Sequence, residues 1–139
     1  MEKEQNLLLN YPKTNDMRIL VVDDEKDIRP LFEQRFRKEI RSEDINFIFA
    51  YSGEEALGCM EQYKHEAVLI LSDINMPGMG GLELLAKIKE KNHTPPPVVM
   101  MITAYGDSEN YNKAMELGAD DFLTKPVNFS ELKEKIKTL

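Results

Sequence analysis

Short apolar runs recur along the chain at 19–22, 47–50, 68–71, 98–102 and 122–123, and turn or polar residues bound each of them. Runs of this length read as buried strands of a parallel sheet. The segments between them carry a different period. Ile28, Leu31, Phe32, Phe36 and Ile40 recur at helical spacing, with Pro30 in the first turn, where a missing N–H costs least. Ser52 and Glu55 form a capping box that opens a second helix. Leu82, Leu85 and Ile88 mark a third, and Tyr111, Ala114 and Met115 a fourth that Gly118 stops. Phe129, Leu132, Ile136 and Leu139 give a fifth helix one apolar stripe, with Phe129 placed equally well in the core or against a partner. Five strands alternating with five helices predict an α/β domain whose parallel sheet is covered on both faces. The pattern leaves the strand order open.

In such a sheet the site lies beyond the carboxyl ends of the strands. There the runs end in Asp23 and Asp24, in Asp73, in Thr103 and in Lys125. Three carboxylates that close together raise one another's pKa or demand a cation. Oxygen ligands with no His or Cys nearby favour a hard divalent ion such as Mg²⁺. The formal charges of three carboxylates, one ammonium and one Mg²⁺ cancel. A phosphoryl group carried on one carboxylate adds negative charge, for which Lys125 and the Thr103 hydroxyl are suitable partners. Phosphoryl transfer needs mainly positioning and charge neutralisation, which this set supplies.

Composition narrows the setting without changing that picture. With 139 residues, 42% hydrophobic and 31% charged, the chain is sized and composed as one globular domain. A formal charge of −7 argues against a nucleic-acid-binding surface. The single Cys59, flanked by Ala56, Leu57 and Met60, reads as a small core residue in a reducing compartment. No stretch approaches the roughly 20 apolar residues of a membrane span, and the N-terminus lacks a signal-peptide pattern. A cytoplasmic protein is expected. Residues 1–16, polar apart from Leu7, Leu8, Leu9 and Tyr11, read as a tail or linker before a domain at 17–139.

Four motifs make the reading specific. LVVDDE, LSDINMPGMGG, MITAYG and GADDFLTKP together resemble the receiver domain of two-component response regulators, over residues 17–139. The separations of 30 residues from Asp73 to Thr103 and 22 from Thr103 to Lys125 suit that family. The resemblance implies a flavodoxin-like, doubly wound sheet of order 2-1-3-4-5, often with a cis Lys125–Pro126 bond. It implies that Asp73 accepts phosphate from a sensor histidine kinase. By the same resemblance Asp24 and Asp73 would bind Mg²⁺ directly, Asp23 would reach it through water, and Asn75 would offer its backbone carbonyl. Lys125 would contact the phosphoryl oxygens, and Thr103 would bond one of them after transfer. Phe122 stands at the switch aromatic. Asn75, Ala104 and Tyr105 stand where access to the site is tuned, the bulk of Tyr105 favouring a long-lived phosphoprotein. The resemblance also implies that the fourth helix, fifth strand and fifth helix form the readout surface and a possible homodimer face. Lys135 departs there from the Arg of the winged-helix branch. An output domain beyond Leu139 is a further expected partner.

Other functions fit less well. A haloacid-dehalogenase-like phosphatase needs a second acid two residues after its nucleophile, where this chain has Asn75. A flavodoxin-like FMN carrier needs a Ser/Thr/Gly loop after the first strand, where Asp23, Asp24 and Glu25 repel phosphate. The domain is thus expected to catalyse only its own phosphorylation and dephosphorylation. The alternative is a pseudo-receiver, a non-phosphorylated interaction module, which normally loses one of the key residues; none is missing. His65 and His93 have no partner pattern and are not expected to carry phosphate.

Overall fold

A computed structural model describes residues 17–62, 67–91, 96–104 and 106–139. The expected tail at 1–16 lies outside them, as do His65, His93 and Tyr105. Strands β1 (Met17–Val22), β2 (Ile45–Ala50), β3 (Leu69–Asp73), β4 (Val98–Thr103) and β5 (Asp121–Thr124) alternate with helices. These are α1 (Ile28–Arg35), α2 (Arg37–Arg41), α3 (Gly53–Gln62), α4 (Gly81–Glu90), α5 (Ser108–Glu116) and α6 (Phe129–Lys137). Every strand pair is parallel, and the order is β2-β1-β3-β4-β5, the order the family resemblance implies.

The period of two within each strand sorts side chains onto two faces. Leu20, Val22, Ile70, Val99 and Met101 pack with Ala56, Leu84, Leu85, Ile88 and Ala114 of α3, α4 and α5. Ile19, Val21, Leu69, Leu71, Met100 and Ile102 pack with Phe32 of α1, with Phe36 just past its end, and with Leu132 and Ile136 of α6. Burial on both faces is why the strands read as continuous apolar runs.

Two details go beyond the pattern. The first helical segment is interrupted at the fully buried Phe36 (φ −108, ψ 22), so the described residues hold six helices where five are expected. Phe36 N–H still donates to Phe32 O and Ile40 N–H to Phe36 O, both at 2.9 Å. Apolar spacing cannot register one residue leaving helical dihedrals while its neighbours' bonds hold. Phe129 is half-buried, its ring 5.2 Å from that of Phe32, which places it in the core packing between α6 and α1. Elsewhere the signals hold: Ser52 Oγ accepts from the Glu55 amide at 3.0 Å, and Gly118 (φ 94) ends α5.

Candidate functional site

Sheet order reverses between β1 and β3, because the chain steps outward from β1 to β2 on one side and to β3 on the other. Loops that part in this way leave a crevice at the carboxyl edge. Asp23 continues β1, its amide donating to Ala50 O at 3.1 Å, and Asp24 follows it. Asp73 is the last residue of β3 and Thr103 the last of β4. Lys125 N–H donates to Thr103 O at 2.9 Å, carrying the β4–β5 ladder one step past Thr124. The five residues predicted to converge do so. Asp23, Asp73 and Thr103 are only 3%, 3% and 4% exposed, while Asp24 is open to solvent. Lys125 reaches back past β4 to place Nζ 2.7 Å from Asp73 Oδ2.

One carboxylate oxygen from each of Asp23, Asp24 and Asp73 lies within 4.8 Å of the others. Burial pushes the Asp23 carboxyl above its ordinary value, and the charge of Asp73 adds to the shift. The Glu25 amide, donating to Asp23 Oδ1 at 2.9 Å, offsets part of it. Burial works against the Lys125 ammonium, but its hydrogen bond to Asp73 and the charges of Asp73, Asp23 and Glu25 outweigh that and raise its pKa. One ammonium thus faces three clustered carboxylates, two of them buried. An all-oxygen set short of positive charge, open on the Asp24 side, fits a hard divalent cation that keeps part of its water shell, as Mg²⁺ does.

The remaining predicted residues sit around this centre. The Asn75 amide is 3.4 Å from Asp73 Oδ1, a long contact that folds the residue back over the carboxylate. Ala104 is exposed and, with Thr103, Gly106 and Thr124, borders a recess of about 210 Å³ under the start of α5. Phe122 is half-buried away from the carboxylates, its ring 4.3 Å from that of Tyr111. The Lys125–Pro126 peptide is cis.

Several contributors escaped the sequence reading. The amide of Glu25 orients Asp23. Gly81 opens α4 so close to Asp73 that a Cβ there would meet the Asp73 carbonyl oxygen. Glu54 accepts from the Met79 amide at 2.8 Å, from 25 residues away. No periodic or motif signal encodes that contact; an acid in a helix's first turn is already accounted for by the helix dipole. A cleft of about 750 Å³ extends from Asp23 and Lys125 between α1 and α6, walled by Leu31, Arg35, Val127 and Phe129.

Among the described residues, no helix is long and apolar enough to cross a membrane. The chain is 39% identical over 120 residues to a cyclic di-GMP phosphodiesterase of Thermotoga maritima, covering 86% of this chain and 30% of that protein. It is 36% identical over 127 residues to the transcriptional regulatory protein ResD of Bacillus subtilis, covering 91% of this chain and 49% of ResD. The chain therefore spans half or less of the length of these relatives. A solved CheY-like response regulator receiver domain protein from Methanospirillum hungatei superposes with a TM-score of 0.74 at 35% identity, covering 88% of this chain and 91% of that one. The profile of the response regulator receiver domain matches residues 19–137, the stretch that holds every strand end described above, and the chain belongs to that family.

Proposed function

We propose that Asp73 takes a phosphoryl group from a phosphohistidine of a sensor kinase, and that the domain transmits the change to an output domain or partner. The observation that carries this reading is the buried Asp73 carboxylate, 2.7 Å from Lys125 Nζ and clustered with the oxygens of Asp23 and Asp24. An Asp73 oxygen attacks phosphorus; the new P–O bond forms as the donor's P–N bond breaks, and the imidazole leaves. The cleft between α1 and α6 opens onto Asp23 and Lys125 and supplies the approach for the donor. Lys125 pairs with the charge that arrives, and the Thr103 hydroxyl, next along β4 from Ile102, the register partner of Asp73, binds a phosphoryl oxygen. Mg²⁺, held by Asp24, Asp73 and the Asn75 carbonyl with Asp23 through water, supplies further charge neutralisation when bound.

Signal leaves on the opposite side. As Thr103 is drawn toward the phosphoryl group, the recess beside it gives Phe122 room to turn inward from Tyr111. Exposed Tyr111, Met115 and Leu117 put apolar surface on the face formed by α5, β5 and α6, where a partner or second copy reads the change. On that face Lys135 pairs with Asp121 of its own chain at 2.8 Å. In this reading the domain is a cytoplasmic signalling module that turns over no external substrate.

Phosphorus NMR of the protein with acetyl phosphate and Mg²⁺ tests the reading. A new acyl-phosphate resonance that hydroxylamine removes supports it. A folded protein without that resonance contradicts it.

A further inference from the structure

The Asn75 backbone carbonyl is the one proposed cation ligand that no side chain supplies, so only the conformation of the 74–80 loop can place it. The base of that loop is closed by Gly81 N–H donating to Ile74 O at 2.8 Å. Its far end is closed from another element. Glu54 Oε1, in the first turn of α3, accepts the Met79 amide at 2.8 Å. The fit around this bond is close. A Cβ on Gly53 would lie 2.8 Å from both Met79 Cγ and Met79 O, so Met79 rests directly over the start of α3. Gly78 takes the left-handed φ of 71 that brings the chain under the same carboxylate. Between the two closures Asn75, Pro77 and Gly78 are exposed, so tethers rather than burial hold them.

We propose that Glu54 is a positioning residue for the cation site: its bond to Met79 fixes the loop in the conformation that presents Asn75 beside Asp73. The proposal rests on the phosphoacceptor reading above and deepens it. The Met79 amide, and after it the amide of Glu54 itself, hold the Glu54 carboxyl below the usual carboxylate range, so the acceptor is charged at neutral pH. Partners that orient metal ligands without touching the metal govern affinity in the same way.

The test is calorimetric Mg²⁺ titration of the full chain as wild type, Glu54→Ala and Glu54→Gln, with the Met79 amide followed by NMR. The Ala variant is expected to bind Mg²⁺ about tenfold more weakly. Its melting temperature without Mg²⁺ should stay close to wild type. Phosphoryl uptake from acetyl phosphate should be slow at limiting Mg²⁺ and recover at saturating Mg²⁺. Gln, whose side-chain carbonyl still accepts from Met79, should restore most of the affinity. Mg²⁺ binding by the Ala variant within twofold of wild type overturns the proposal. So does a Gln variant as weak as Ala whose Met79 amide stays hydrogen-bonded, because charge alone then explains the effect. A wild type that binds no Mg²⁺ overturns the phosphoacceptor reading and this proposal together; an unaffected Ala variant beside a wild type that binds overturns this one alone.

Discussion

Asp23 shows how the site trades stability for chemistry. Its carboxylate is buried beside Asp73, and its pKa is raised chiefly by that burial. A group whose folded pKa exceeds its unfolded value binds its proton more tightly in the folded protein. Stability therefore falls as pH rises from the ordinary carboxylate range through the raised folded pKa. Asp23→Asn keeps an oxygen for the Glu25 amide and removes the charge. In Mg²⁺-free protein at pH 7 this variant is expected to melt a few degrees higher than wild type, with a shallower loss of stability between pH 4 and 7. Its Mg²⁺ affinity should fall by about tenfold or more. Thermal melts across that pH range check the sign; a variant that melts lower at pH 7 contradicts it. Asp23, Asp24, Asp73, Thr103 and Lys125 were legible in the sequence because each ends an apolar run, and the parallel topology carries run ends to one edge. Glu54 was not, because its partner is 25 residues away and nothing local marks it.

Among the elements, β3 and α4 meet with no room for a side chain at Gly81. A side chain at Gly81 would meet the Asp73 carbonyl oxygen and lie 2.7 Å from Ile74 Cα, both backbone atoms that cannot swing aside. Gly81→Ala is expected to cost about 2–4 kcal/mol, read as a lower urea midpoint, because α4 must move off the strand that carries Asp73. A midpoint close to wild type would mean the junction is looser than its geometry. The contact between α5 and β5 tests the switch. Phe122→Leu keeps apolar volume and removes the ring packed on Tyr111. It should take up phosphate within about twofold of the wild-type rate, since the ring touches none of the carboxylates. The amide shifts that phosphorylation induces over 111–115 should shrink; undiminished shifts would remove Phe122 from the pathway. Helix and strand positions were legible from periodicity, and the break at Phe36 was not.

Across the whole molecule, two apolar layers hold the sheet from both faces, and three clustered carboxylates and Lys125 gather at its carboxyl edge. The helices of one layer, α1 and α6, flank the cleft that opens onto Asp23 and Lys125. Those of the other, α3 and α5, hold the 74–80 loop and border the recess beside Thr103. In the proposed function, the donor's approach and the readout of the signal therefore lie on separate sides of the buried Asp73 carboxylate. Strand order was legible only through the family resemblance, since a parallel sheet buries every strand alike and alternation does not rank them. Intact mass after incubation with acetyl phosphate, with Mg²⁺ or with EDTA, tests Asp73 as the proposed phosphoacceptor on wild type and Asp73→Asn. One added phosphoryl group is expected on the wild type with Mg²⁺, and none with EDTA or on the variant. A gain that survives in Asp73→Asn, or no gain in folded wild-type protein, would contradict it.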